Sequence, residues 1–148
     1  MDVDQLYQGI ILDHYREKHH SGLREPFDVE VHHVNPTCGD EVTLRVQVED
    51  DVVTDVSYQA EGCSISQASL SVMSDLLIGR SAQEVLAMYD EFLHMIHSRG
   101  RESLDEDRFE DAIAFTGVGR FPARVKCALL GWSAVRDAVL RAEAKEKP

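Results

Sequence analysis

A chain of 148 residues fits one domain, spanning 1–148, and is long enough to bury a core without a disulfide framework or a metal staple. Its 27 acidic residues against 15 basic ones give a formal net charge of -12, and no basic run is present to neutralise a phosphate backbone, so nucleic acid is not an expected partner. No apolar run approaches the roughly 20 residues of a membrane span, and Met1-Asp2-Val3-Asp4 carries acid where a secretory signal carries base, so the expectation is a cytoplasmic protein without a membrane partner.

Leu6, Ile10 and His14, flanked by Tyr7, Ile11 and Tyr15, recur at helical spacing and predict an amphipathic helix from about Asp4 to Lys18, ended by His19-His20-Ser21-Gly22. Val29 to Val34 reads as a short strand. Val42, Leu44, Val46 and Val48 then alternate with Thr43, Arg45, Gln47 and Glu49, and after Asp50-Asp51 the alternation resumes through Val52, Thr54, Val56, Tyr58 and Ala60. That pattern predicts an antiparallel hairpin with a two-residue turn.

Helices fill the remainder. Ser64-Ile65-Ser66-Gln67 has the form of a capping box, followed by an apolar stripe of Ile65, Ala68, Val72, Met73, Leu76 and Leu77 before Gly79. Ser81-Ala82-Gln83-Glu84 opens another helix, with Val85, Leu86, Tyr89, Phe92, Leu93 and Ile96 facing the core and Gly100 closing it. A charged stretch, Arg99 to Asp107, leads to a short helical pattern around Phe109, Ala112, Ile113 and Phe115, and then to a glycine-broken loop, Thr116 to Arg120. Pro122 suits the first turn of a last helix, whose stripe of Val125, Leu129, Trp132, Val135 and Val139 runs to about Ala144 before a charged tail. The predicted fold class is α+β: a three-stranded antiparallel meander packed against about five helices.

Chemistry concentrates at three cysteines and an aspartate. Cys38 and Asp40 lie in Asn35-Pro36-Thr37-Cys38-Gly39-Asp40, Cys63 in Glu61-Gly62-Cys63-Ser64-Ile65-Ser66, and Cys127 in Phe121-Pro122-Ala123-Arg124-Val125-Lys126-Cys127; there is no other cysteine. An odd number in a reducing compartment points away from disulfides and toward metal binding or thiol chemistry. Three soft sulfurs and one hard oxygen could complete a tetrahedron around zinc, with one corner easier to exchange than in a four-thiolate structural site.

Register brings two of these loops together. If Asp50-Asp51 is a two-residue turn, paired residue numbers sum to 101, and Cys38 falls opposite Cys63; a bulge would shift this by a residue while leaving the loops neighbours. Gly39 lets the backbone turn tightly enough for Cys38 and Asp40 to converge on one ion. Cys63 directly precedes a helix, where orphan amides and the helix dipole favour a thiolate. Arg124 stands three residues before Cys127 on the same helical face, so its guanidinium is a candidate neighbour of the site. Periodicity alone does not bring this last helix to the hairpin end.

Plainer accounts exist for each residue. A free cysteine is often a small buried hydrophobe, Asp40 alone would serve to cap its turn, and Arg124 and Lys126 fit ordinary solvated charges. His19-His20, His32-His33, His94 and His97 are metal-capable, but solvent exposure or surface packing is the better account of them.

The three cysteine motifs, with Asp13-His14-Tyr15 near the start, resemble the U-type iron-sulfur cluster assembly proteins over nearly the whole chain, in order. Lys126 replaces the histidine that scaffold-type members carry before the last cysteine, and the segment from about Met88 to Gly119 is extended; both features resemble the SufU branch. The resemblance implies a single IscU-like domain that binds zinc through Cys38, Asp40, Cys63 and Cys127. It further implies a partner and activator of a SufS-type cysteine desulfurase, with Cys38 as sulfur acceptor. A desulfurase histidine would displace one zinc ligand and free Cys38, with Arg124 assisting the exchange, and the sulfur would pass to a downstream SUF-system scaffold. The alternative is a scaffold that builds a [2Fe-2S] cluster on the same cysteines. Arg16-Glu17-Lys18-His19-His20 departs from the family, where an asparagine- and proline-containing segment is usual.

Overall fold

Strict alternation along the hairpin makes one face of a sheet apolar. The computed structural model describes residues 3–146, and in it β1 (Val29–Asn35), β2 (Asp40–Glu49) and β3 (Val52–Glu61) form an antiparallel sheet in the order β1-β2-β3. On β2, Asp40, Val42, Leu44, Val46 and Val48 are buried while the intervening residues are partly exposed. Met1 and Asp2 of the acidic start and Lys147 and Pro148 of the charged tail lie outside the described residues.

The hairpin turn is the expected two-residue one. Asp50 and Asp51 take φ of 50° and 63°, the left-handed pair that matches strand twist, and Glu49 faces Val52. The sum of 101 holds only as far as Val48 opposite Val53, because a bulge at Gln47/Val48 then sets Gln47 opposite Asp55. Thr54 is the extra residue, and its hydroxyl donates to the Gln47 carbonyl at 3.3 Å. Beyond the bulge the sum is 102 and Glu41 faces Glu61. The expected pairing of Cys38 with Cys63 is therefore corrected: the strand end opposite Gly62 and Cys63 is Asp40.

Five α-helices complete the fold: α1 (Val3–Glu17), α2 (Ser64–Leu77), α3 (Ala82–Ile96), α4 (Glu106–Phe109) and α5 (Pro122–Glu146). Ser81 caps α3 as the sequence predicts, its side chain accepting from the Glu84 N–H. At α2 the expected box does not form. Cys63 occupies the cap position, and Gln67 instead donates to the Gly62 carbonyl at 3.0 Å. The glycine-broken loop proves to be the second half of a 3-10 segment, Glu110–Arg120. Gly119 allows it, since a β-carbon there would lie 2.6 Å from the Ile96 carbonyl oxygen.

Helix α5 lies across β1 and β2 and also packs on α2, and α1 packs on α2 as well. Close approach of α2 and α5 depends on Gly131, whose added β-carbon would lie 2.5 Å from Leu70 Cδ2, and is fixed by the Ser69 hydroxyl donating to the Ala128 carbonyl at 2.7 Å. Further along α5, Trp132 stacks on Phe92 of α3 with ring centroids 4.4 Å apart. The α2–α5 crossing brings the start of α5 to the hairpin end. No helix of the described residues is long and apolar enough to cross a membrane.

Candidate metal centre

Four donors meet where the strand end, the start of α2 and the second turn of α5 converge. Cys38 sits in the β1–β2 turn, which closes through Gly39 N–H donating to the Asn35 carbonyl at 2.8 Å, with Gly39 at φ of 73°. Asp40, first in β2, is only 2 % exposed. Its Oδ1 accepts from the Cys63 backbone N–H at 3.0 Å, and its Oδ2 lies 3.3 Å from Cys38 Sγ and 3.6 Å from Cys63 Sγ. Cys127 is buried on α5, with its Sγ 3.5 Å from Cys38 Sγ.

Cys38 and Cys63 are exposed, whereas Asp40 and Cys127 form the floor. Cys38, Asp40 and Cys127 offer donor atoms all within 4.8 Å of one another, and Cys63 joins them through Asp40. Bonds of about 2.3 Å to sulfur and about 2.0 Å to oxygen at tetrahedral angles call for S···S near ~3.8 Å and S···O near ~3.5 Å. The observed separations of 3.5 Å for Cys38 to Cys127 and 3.3 and 3.6 Å for Cys38 and Cys63 to Asp40 fit these values, while Cys63 stands outside the mutual 4.8 Å of the other three donors and would close in on a bound ion.

Electrostatics favour the same conclusion. Burial works against the Asp40 charge, but hydrogen bonds from Cys127, the Cys63 N–H, Cys38 and the Cys63 thiol outweigh it and hold the carboxyl below its ordinary range. Burial above all, then Asp40 and the two neighbouring thiols, pushes the Cys127 thiol far up. Three thiols around a carboxylate cannot all ionise without a cation between them, so a divalent metal is the natural partner of this donor set.

Arg124 is not bonded to any of the four donors. Its guanidinium stacks over the Phe121 ring at 4.9 Å and, among the described residues, makes no hydrogen bond or ion pair. It lines a cavity of about 750 Å³ together with Ser64 and Ile65, the residues that follow Cys63. Lys126 is exposed. None of the histidines belongs to the cysteine cluster: His33 bonds Asp137 at 2.8 Å, His32 bonds Thr43 at 2.9 Å, and His94 pairs with Glu102.

One contributor escaped the motif reading. A β-carbon on Gly62 would lie 2.4 Å from Asp40 Oδ1 and 2.7 Å from its Cγ, so only glycine leaves room for the carboxylate to turn under Cys63. The signal was a glycine directly before a cysteine, and its meaning depended on what the neighbouring strand delivered.

Residues 6–128 match the family described as NifU-like N terminal domain. The chain is 38% identical to the zinc-dependent sulfurtransferase SufU of Bacillus subtilis, covering 96% of this chain and 95% of that protein. It is 37% identical to the iron-sulfur cluster assembly scaffold protein IscU of Streptococcus pyogenes, covering 94% of this chain and 86% of that one. The crystal structure of FiSufU from Fervidobacterium islandicum, described as a SUF-system assembly scaffold, superposes with a TM-score of 0.82 at 34% identity, covering 93% of this chain and 99% of that one. The chain belongs to the NifU-like N-terminal domain family, among relatives bearing both the SufU and the IscU names.

Proposed function

We propose that this protein is a zinc-dependent sulfur acceptor and transfer protein of iron-sulfur cluster assembly, with Cys38, Asp40, Cys63 and Cys127 as the zinc ligands. The observation that carries the reading is one exposed turn thiol, Cys38, held 3.3 Å from a buried carboxylate and 3.5 Å from a buried helical thiol. When bound, zinc supplies a redox-inert positive charge that keeps thiols deprotonated at neutral pH.

The protein's own residues divide the work. Asp40 is clamped by the Cys63 N–H, and Cys127 is anchored in the core by α5. Cys38 lies outside regular secondary structure and faces solvent, so it is the thiol a partner can reach. In the proposed transfer the Cys38 thiolate attacks the outer sulfur of a persulfide on a SufS-type cysteine desulfurase. A sulfur–sulfur bond forms on Cys38, the partner's sulfur–sulfur bond breaks, and the electron pair leaves on the partner's cysteine thiolate. No external oxidant or reductant is required. The sulfur then passes by the same exchange to a downstream scaffold of the SUF system, in a reducing, cytoplasmic setting. Arg124 assists by leaving Phe121 to pair with Asp40 or the developing thiolate.

The test is alanine release from free cysteine by the cognate desulfurase under anaerobic reducing conditions, with zinc-loaded protein and with Cys38→Ala. Strong stimulation that the variant abolishes is the expected result. Absence of stimulation by zinc-loaded protein overturns the reading.

A second reading, a scaffold on which a [2Fe-2S] cluster is assembled, is favoured by the 37% identity to the IscU-named relative and by three thiolates suited to iron-sulfur ligation. Iron and sulfide content after anaerobic reconstitution separates the two.

A further inference from the structure

We propose that His14, His19 and Asp75 form a second metal site, distinct from the cysteine centre, that takes a first-row divalent cation of the zinc class. Their donor atoms all lie within 4.8 Å of one another. They come from the last turn of α1, the turn that follows it and the last turn of α2. Asp75 stands twelve residues along α2 from Cys63, about 18 Å at 1.5 Å per residue.

Two imidazoles and a carboxylate are a donor set for zinc, cobalt or nickel, and the surroundings orient each one. His14 is 5% exposed and hydrogen-bonds Asp111 at 2.8 Å through Nε2. With that nitrogen donating, Nδ1 accepts from the Ser71 hydroxyl at 2.8 Å, and metal binding at Nδ1 would replace this hydrogen bond. A carboxylate behind a ligating imidazole is the usual second support of a histidine–metal bond. Asp75 is oriented from the far side: Arg24 donates to His20 Nδ1 at 3.0 Å, so His20 Nε2 carries the proton it gives to Asp75 Oδ1 at 2.9 Å. That leaves Oδ2 directed at His19 Nδ1. His19 is held in turn by its N–H on Ser71 Oγ at 2.9 Å and its carbonyl on the Tyr58 hydroxyl at 2.8 Å.

A cavity of about 160 Å³, lined by His14, Asp75, Glu110 and Asp111, opens beside the cluster and can supply a water to complete the coordination. His14, His19 and Asp75 would be ligands, and His20 a positioning residue. Binding would clip the end of α1 to α2 and stabilise the fold by linkage.

Equilibrium dialysis of the full chain against buffered Zn2+ and Co2+ tests this. Wild type is expected to take up two equivalents, and His19→Ala and Asp75→Asn one each. A Cys38→Ser/Cys63→Ser/Cys127→Ser variant should retain one, with Co2+ giving weak d–d bands and no thiolate charge-transfer band. Zn2+ beyond the first equivalent should raise the Tm of wild type and not of folded His19→Ala. No uptake by the folded cysteine variant, or uptake undiminished in a folded His19→Ala or Asp75→Asn, overturns the proposal. Because the cysteine variant is read separately, these outcomes do not depend on the function assigned to Cys38.

Discussion

The backbone N–H of Cys63 donates to Asp40 Oδ1 at 3.0 Å, across a gap that only a glycine at position 62 leaves open. One bond thus joins the start of β2 to the start of α2 and aims the carboxylate's other oxygen at the thiols of Cys38 and Cys63. Gly62→Ala would place a methyl group 2.4 Å from Oδ1 and force Asp40 aside. Loss of a group that orients a ligand weakens metal binding by roughly 10- to 100-fold. Chelator competition should show a fall of that order while circular dichroism reports a folded protein.

Metal removal should separate the three thiols by reactivity. Cys38 and Cys63 are exposed, whereas Cys127 is 5% exposed and burial pushes its thiol up. The thiolate is the nucleophile toward alkylating agents. In chelator-treated protein at pH 8, mass spectrometry should find Cys38 and Cys63 modified by iodoacetamide well before Cys127. Zinc-loaded protein should resist at all three, and equal rates in the stripped protein would contradict the buried placement of Cys127.

How much of this was legible in the sequence depended on the range of the interaction involved. Alternation around Asp50-Asp51 announced the hairpin, and Ser81 announced the start of α3, because both signals are local. The register erred by one residue because Thr54 bulges, which no residue type in an otherwise regular run foretold. The hairpin end could be placed near Cys63, but Cys127 could not, since its approach rests on Gly131 against Leu70, about 60 residues apart. Buried Val118 and Gly119 turned an expected loop into a 3-10 segment because Gly119 rests on the end of α3. His19-His20 read as the end of a helix, and only α2 folding back brought Asp75 to them.

Gly131→Ala should injure fold and site together. Leu70 is fully buried, so it has no free space in which to yield to a β-carbon 2.5 Å from its Cδ2. Overpacking of this kind costs about 1–3 kcal/mol. Urea unfolding should register a loss in that range. Because Cys63 and Cys127 ride on the two helices being forced apart, zinc affinity should fall as well, whereas an exposed substitution such as Arg141→Ala should leave affinity unchanged.

The second half of α5 offers a test by pH. Asp137 accepts from His33 at 2.8 Å and from Arg141 at 2.8 Å, and these hydrogen bonds, His33 first, lower its carboxyl against a smaller opposing effect of burial. A carboxyl lowered on folding stabilises the native state above its unfolded value, about pH 4, and that stabilisation is lost as pH falls through the folded value. The side chain is 31% exposed, so solvent screening keeps the effect to about 0.2–1 kcal/mol. Asp137→Asn should therefore be less stable than wild type by that amount at pH 6. The two denaturation midpoints should converge as the pH drops below about 4. A constant difference down to pH 2 would mean that the pair acts through packing, with no contribution from the carboxylate's charge.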